Sequence, residues 1–222
     1  MIEMIPKFFV VVRSFPGKSL DQGTYAHRAA DSRLGDAPKC GTCGRYVAGK
    51  VWLPPYSVDL ETWGKKFGDL ALSSPPDLLV TERFRRLWLG SRMVGLSQFT
   101  PVQVAKVRRR RRMDDSLPSY LHTAAVVTRT EVDYAASGFE WEKSPDCLEC
   151  RLGTLIKRWK RIVLDPTTWS GEDLFVPFQL GDFVATSRFK EFCETNGIAG
   201  AVFVPAEEYG HDFYPGENVS DD

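Results

Sequence analysis

Two Cys-x-x-Cys pairs carry the chemistry most legible in this chain: Cys40-Gly41-Thr42-Cys43, followed by Gly44, and Cys147-Leu148-Glu149-Cys150. They account for four of its five cysteines. Four thiolates in two short knuckles supply a complete tetrahedral zinc site, and a two-residue spacer lets each knuckle turn back so that both sulfurs face one ion. Gly41 and Gly44 ease the first turn, whereas Arg151 follows Cys150 directly, which predicts a looser second turn. Four cysteines leave no open coordination position, so the expected role is structural, with one Zn2+ per chain and Cys40, Cys43, Cys147 and Cys150 as ligands.

The competing chemistries are a disulfide pair, a redox motif, or buried cysteines without metal. A redox Cys-x-x-Cys ordinarily opens a helix after a strand, but the residues after Cys43 and Cys150 read as strands. The opening Phe8-Phe9-Val10-Val11-Val12 is too short for an export signal and ends at Arg13 without a cleavage site. A cytoplasmic location is therefore expected, where thiols stay reduced and favour metal. Cys193, the odd cysteine, falls on the apolar face of a helical segment and reads as a small core residue.

The elements that must hold these knuckles follow from periodicity and punctuation. Phe8 to Arg13 reads as a strand, Pro16 to Lys39 shows no clear period, and Arg45 to Leu53 reads as a strand stopped by Pro54-Pro55. Thr81 caps a helix whose Phe84, Leu87 and Trp88 share a face. Thr186 or Ser187 caps a second, with Phe189, Phe192 and Cys193 at the same spacing and Asn196-Gly197 as its stop. Thr123 to Val132 returns to strand.

The segments after the two knuckles echo one another. Asp69-Leu70 matches Asp173-Leu174, and Asp77-x-x-x-Thr81-x-Arg83-Phe84 matches Asp182-x-x-x-Thr186-x-Arg188-Phe189. Gly95, Phe99 and Pro101 match Gly200, Phe203 and Pro205. The expectation is an α+β, strand-rich single unit over 1–222, with repeat halves at approximately 40–102 and 147–206 and intervening strands at 103–146. The two related halves would be joined at a zinc-ribbon-like site made of the four cysteines. Strands and helices do not alternate regularly, which excludes a doubly wound parallel sheet.

Composition narrows the partner classes. With 29 basic and 29 acidic residues in 222, the average field attracts neither phosphate nor an anionic membrane, and no apolar run approaches a membrane span. Six Trp and fourteen Phe can fill a large core. Lys106 and Arg108 through Arg112 form a basic run, answered at once by Asp114-Asp115, and read as a solvated strand end or loop. The acidic, aromatic C-terminal segment (Glu207, Glu208, Tyr209, Asp212, Phe213, Tyr214, Glu217, Asp221, Asp222) reads as a solvated tail or a contact for a basic partner. His27, His122 and His211 lack metal-ligand spacing, and no nucleophile elbow, phosphate loop or dinucleotide fingerprint is present, so no catalytic residue is assigned.

Gly23-Thr24-Tyr25-Ala26-His27, Cys40 through Gly44, Tyr56-Ser57-Val58-Asp59-Leu60, Cys147 through Cys150 and Asp182 through Phe189 together resemble the double-CXXCG motif immunity proteins found as paralogues in myxobacteria. The resemblance reaches both ends of the chain and leaves its middle poorly matched. It implies a cytoplasmic antidote that binds and blocks a cognate protein toxin delivered by neighbouring cells, without catalysis. The family's cysteines fall on Cys40, Cys43, Cys147 and Cys150, and the second motif's glycine is replaced here by Arg151. The alternatives are a zinc-ribbon nucleic-acid-binding regulator using Arg108 through Arg112, and a metal-dependent hydrolase. Nucleic acid is not the expected partner, and no membrane contact is implied.

Overall fold

The computed structural model describes residues 6–13, 23–63, 65–109 and 116–213. Strands β1 (Phe8–Arg13), β2 (Thr24–Arg28), β3 (Arg33–Leu34), β4 (Trp52–Leu53), β5 (Tyr56–Thr62), β6 (Leu70–Leu72) and β7 (Asp77–Thr81) precede helix α1 (Glu82–Gly90). Then come β8 (Thr100–Arg109), β9 (Tyr120–Ala124), β10 (Val126–Thr128), the short α2 (Tyr134–Ser137), β11 (Glu140–Trp141) and β12 (Ile156–Arg158). The last elements are β13 (Leu174–Pro177), β14 (Val184–Thr186), helix α3 (Ser187–Thr195) and β15 (Ala201–Pro205). The protein is strand-rich α+β, as its sequence indicates.

Two sheets dominate. A closed six-stranded barrel runs β2-β5-β8-β9-β7-β6, and a five-stranded sheet runs β10-β13-β14-β1-β15. Within the barrel the order β6-β7-β9-β8 is antiparallel throughout, and so is β13-β14-β1-β15 in the open sheet. A parallel strand flanks each run, β2 beside β6 and β10 beside β13. The registers coincide as well. Tyr120 faces Thr81 and Leu121 faces Pro101, while Phe8 faces Thr186 and Phe9 faces Pro205. Thus β1, the first strand of the chain, completes the sheet that carries the second knuckle's downstream strands, and β9 completes the barrel. The barrel closes because β5 adds a strand between β2 and β8, and no described residues do this in the open sheet.

The two long helices are positioned by matched local chemistry. Thr81 and Thr186 are extended N-caps whose hydroxyls accept from the amides of Phe84 and Phe189, satisfying donors that the first turn leaves free. Asp69 accepts from the Thr81 hydroxyl at 2.8 Å and from Arg83 at 2.8 Å, and Asp173 accepts from Thr186 at 3.3 Å and Arg188 at 3.0 Å. Each arginine then crosses to the other helix. Arg188 reaches the carbonyls of Ser91 and Arg92 beyond α1, and Arg83 reaches those of Asn196 and Gly197 beyond α3. These are carbonyls that a helix C-terminus leaves unpaired, and a cation there also offsets the helix dipole.

Between the helices, Phe84 and Trp88 meet Phe189 and Phe192 in edge-on pairs with centroids 5.9 to 6.4 Å apart. Phe84 and Phe189 are fully buried, each stabilising by about 1.5–3 kcal/mol through burial alone. This layer lies on the outward faces of Leu70, Leu72, Leu78 and Val80, while Val58, Leu60, Ala71 and Leu79 fill the barrel. Cys193 sits in the helix layer at 1% exposure, where its sequence position places it.

Two expectations need correction. Arg45 to Leu53 is not a continuous strand: only Tyr46 makes an isolated bridge, to Lys39, and strand resumes at Trp52. The knuckle turn and Gly49 break the run, so Val47 packs on the cysteines, Tyr46 and Val51 face solvent, and Trp52 joins the barrel core. The unpatterned stretch from Pro16 to Lys39 holds β2, a barrel strand whose Thr24, Ala26 and His27 conceal the alternation that burial imposes.

Candidate metal centre

Each knuckle projects from a two-stranded antiparallel ribbon. β3 pairs with β4 around Cys40 and Cys43, and β11 pairs with β12 around Cys147 and Cys150. In the first turn the Gly44 amide donates to the Cys40 carbonyl at 2.9 Å, and in the second the Arg151 amide donates to the Cys147 carbonyl at the same distance. The second turn is therefore closed like the first, contrary to the looser geometry expected of it. Gly44 and Arg151 both take positive φ, 73° and 50°. That conformation costs a non-glycine residue about 1–2 kcal/mol. The Arg151 head group compensates by pairing with Glu131 and lying over the Tyr134 ring.

The four sulfurs converge. Cys40 Sγ lies 3.9 Å from Cys147 Sγ, Cys43 Sγ lies 3.6 Å from Cys150 Sγ, and all four fall within 4.8 Å of one another. Metal–sulfur bonds near 2.3 Å in a tetrahedron set sulfurs about 3.8 Å apart, so the donor set fits a zinc-sized ion. Cys40, Cys147 and Cys150 are buried and Cys43 is exposed; Val47, Leu152 and Phe178 pack around them. All are free thiols.

Electrostatics within the set favours a cation. The Cys43 and Thr42 amides, donating to the Cys40 sulfur, bring its pKa down to about 7. At Cys43 the Arg45 amide pulls in the same direction, but burial and the three neighbouring sulfurs outweigh it and push the thiol up to about 12. Packed thiolates repel one another, and a divalent ion removes that penalty. One further contact ties the knuckles without metal: Arg45, beside the first, donates to the Leu152 carbonyl at 2.6 Å and to Asp146 at 2.9 Å beside the second. The Arg45 guanidinium in turn holds the Asp146 carboxyl below its ordinary range.

No family model matches this chain, and no curated protein matches it. The functional reading therefore rests on the site itself and on the sequence resemblance.

The remaining sequence features are dispersed. Lys106, Arg108 and Arg109 lie at the end of β8, and Arg110, Arg111, Arg112, Asp114 and Asp115 lie outside the described residues. Of the acidic tail, Glu207, Glu208, Tyr209, Asp212 and Phe213 are described, with Asp212 paired to Arg158; Tyr214, Glu217, Asp221 and Asp222 lie outside. No described helix is long and apolar enough to cross a membrane. His27 is half exposed beside Glu61, and His211 meets the Trp159 ring. His122 is different: it is buried beside Asp77, a residue singled out in the sequence only as part of the echo. Nothing in the sequence joins them, because the contact depends on β7 and β9 pairing in the barrel.

The matched position, Asp182, has no such partner. Burial pushes its carboxyl from an ordinary 3.8 up to about 6, with the Tyr209 hydroxyl holding it back. Because the folded value is raised, ionised Asp182 destabilises the fold in full above about pH 6, and the penalty disappears as pH falls toward 4. Asp182→Asn should thus stabilise the protein by up to about 3 kcal/mol at pH 7 and by nothing near pH 4. Denaturant titrations at the two pH values check this; a benefit equal at both would refute it.

Proposed function

We propose that this chain is a cytoplasmic immunity protein that binds a cognate toxin and blocks it, with one structural zinc on Cys40, Cys43, Cys147 and Cys150 joining two repeat halves. The observation that carries the reading is the four-cysteine cluster: it uses every ligand position on protein, and it sits between the halves beside apolar side chains turned to solvent. Leu148, in the spacer of the second knuckle, is 95% exposed, and Tyr46, just after the first, is 63% exposed. Large apolar residues on a rigid, metal-fixed turn suit a binding anchor, because little side-chain entropy remains to be lost on contact.

The repeat reading is supported by the matched strand orders, registers and helix caps described above, and it extends each half upstream of its knuckle. The halves would then have exchanged first strands, β1 for β9. Such an exchange binds the halves together independently of zinc, leaving the metal to rigidify the presented knuckles.

Co-expression tests the function. Cells producing the toxin encoded beside this gene should survive when the chain is present, and the two proteins should copurify. Leu148→Asp, exposed and outside the ligand set, should retain zinc and stability yet lose protection. Absence of both protection and copurification would overturn the antidote reading.

A further inference from the structure

At one mouth of the barrel, β2, β6 and β9 end and β5, β7 and β8 begin, and Trp52 lies across the opening. Beneath it is a cavity of about 310 Å3 walled by Trp52, Tyr56, His122, Pro75 and Pro76, with Lys50 lining it from the loop before β4. Barrel mouths are frequent sites for small ligands, and a volume near 300 Å3 is at the small end of such pockets. The side chains are held in place from behind. Asp77 accepts from Arg28 at 2.7 Å through one oxygen and lies 2.8 Å from His122 Nε2 through the other. A carboxylate only accepts, so Nε2 carries the proton and Nδ1 is left as an acceptor. The His122 ring stacks on Tyr56 at 3.9 Å and 21° and meets Trp52 edge-on at 5.2 Å, while the Arg28 guanidinium covers Trp52.

Two features point to a ligand. Trp52 is 3% exposed, yet its indole N–H has no partner, and a buried donor left unmade costs about 1–3 kcal/mol. The fold, moreover, does not require the polar cluster. At the corresponding corner of the open sheet, Asp182 matches Asp77, but β-sheet register places Val10 where His122 stands, and three residues on from the matched Tyr25 and Val127 the chain has Thr130 in place of Arg28. The same corner is built twice and only one copy carries the polar cluster.

The charges select the ligand. Asp77 is neutralised by Arg28, which leaves Lys50 as the unbalanced charge of the lining. Flat aromatic walls, an unused N–H donor and an ammonium at the rim favour a planar anion. We propose that the barrel mouth binds a small aromatic or heteroaromatic carboxylate, its ring against Trp52 and Tyr56 and its carboxylate toward the Trp52 N–H and Lys50. This site is separate from the knuckles and does not depend on the toxin-binding reading.

Benzoate and its neutral analogue benzamide are the probes, titrated into the full-length, zinc-loaded, 15N-labelled protein. The indole N–H resonance of Trp52, assigned by its loss in Trp52→Phe, reports occupancy. Benzoate should shift it saturably, with benzamide weaker by about tenfold. Lys50→Glu, on an exposed rim position that the fold does not need, should weaken benzoate several-fold and leave the rest of the spectrum in place. An unmoved Trp52 resonance, equal affinity for benzoate and benzamide, or undiminished benzoate binding by Lys50→Glu would each overturn the proposal.

Discussion

Cys147→Ser is expected to strip the metal from the protein and to lower its melting temperature by about 10–20 °C, corresponding to a loss on the order of 5 kcal/mol. The size follows from how little else holds the knuckles. Among the described residues, the apolar side chains packed around the sulfurs are Val47, Leu152 and Phe178, and the ribbons beneath have strands of two and three residues. A two-stranded ribbon of that length is marginal alone, so a bound ion, together with Arg45, would fix its geometry. With three thiolates left, the knuckles should open and become sensitive to protease near 36–50 and 143–155 while both sheets survive. Cys193→Ala is the control, since that thiol is buried in the helix layer: it should cost about 1–2 kcal/mol and leave zinc content unchanged. Elemental analysis with thermal unfolding reads both outcomes, and equal zinc in wild type and Cys147→Ser would exclude this role for the cysteine.

Gly200→Ala should destabilise by about 3–5 kcal/mol, the largest effect expected from any substitution away from the metal. Gly200 has φ 114°, a conformation open in practice to glycine alone, and a Cβ there would lie 2.0 Å from the Leu70 carbonyl oxygen. The obstacle is backbone, which cannot swing aside as a side chain would. Gly95 repeats the arrangement at φ 118°, with its Cβ 2.1 Å from the Leu174 carbonyl oxygen. The turn after each helix lies on the opening residue of a strand in the opposite sheet, β6 or β13, where Leu70 donates to Ala199 and Leu174 to Val94. Gly95→Ala should therefore cost a similar amount. Gly90→Ala, in α1 with no atom near its Cβ, should be neutral or slightly stabilising. Equilibrium denaturation of the three variants tests the pattern; a mild Gly200→Ala would mean that the turn does not press on Leu70.

What the sequence discloses is local chemistry. Thr81 and Thr186 are readable as caps because capping needs only the three residues that follow, and Cys-x-x-Cys is readable because its ligands share a turn. The paired Asp69 and Asp173, Thr81 and Thr186, and Arg83 and Arg188 stand out as matched letters, and they are the residues that make matched bonds. What stays hidden is pairing across distance. The placement of β1 in the open sheet depends on contacts with residues near 184 and 204, and no local pattern at Phe8 to Arg13 specifies it. His122 and Asp77 come together because β7 and β9 are neighbours in the barrel, and Arg45 finds Asp146 only once the knuckles meet. Arg45 to Leu53 misleads because its apolar residues mimic a strand while serving different surroundings, Val47 the cysteines, Trp52 the barrel core, and Tyr46 and Val51 the solvent.

The central claim is that two knuckles far apart in the chain hold one ion between them. X-ray absorption at the zinc edge, on protein purified under reducing conditions, tests it most directly. The account predicts one zinc per chain with four sulfur neighbours near 2.3 Å and no lighter ligands. Metal-free protein of full stability, or zinc bound by two sulfurs with nitrogen or oxygen completing the shell, would contradict it.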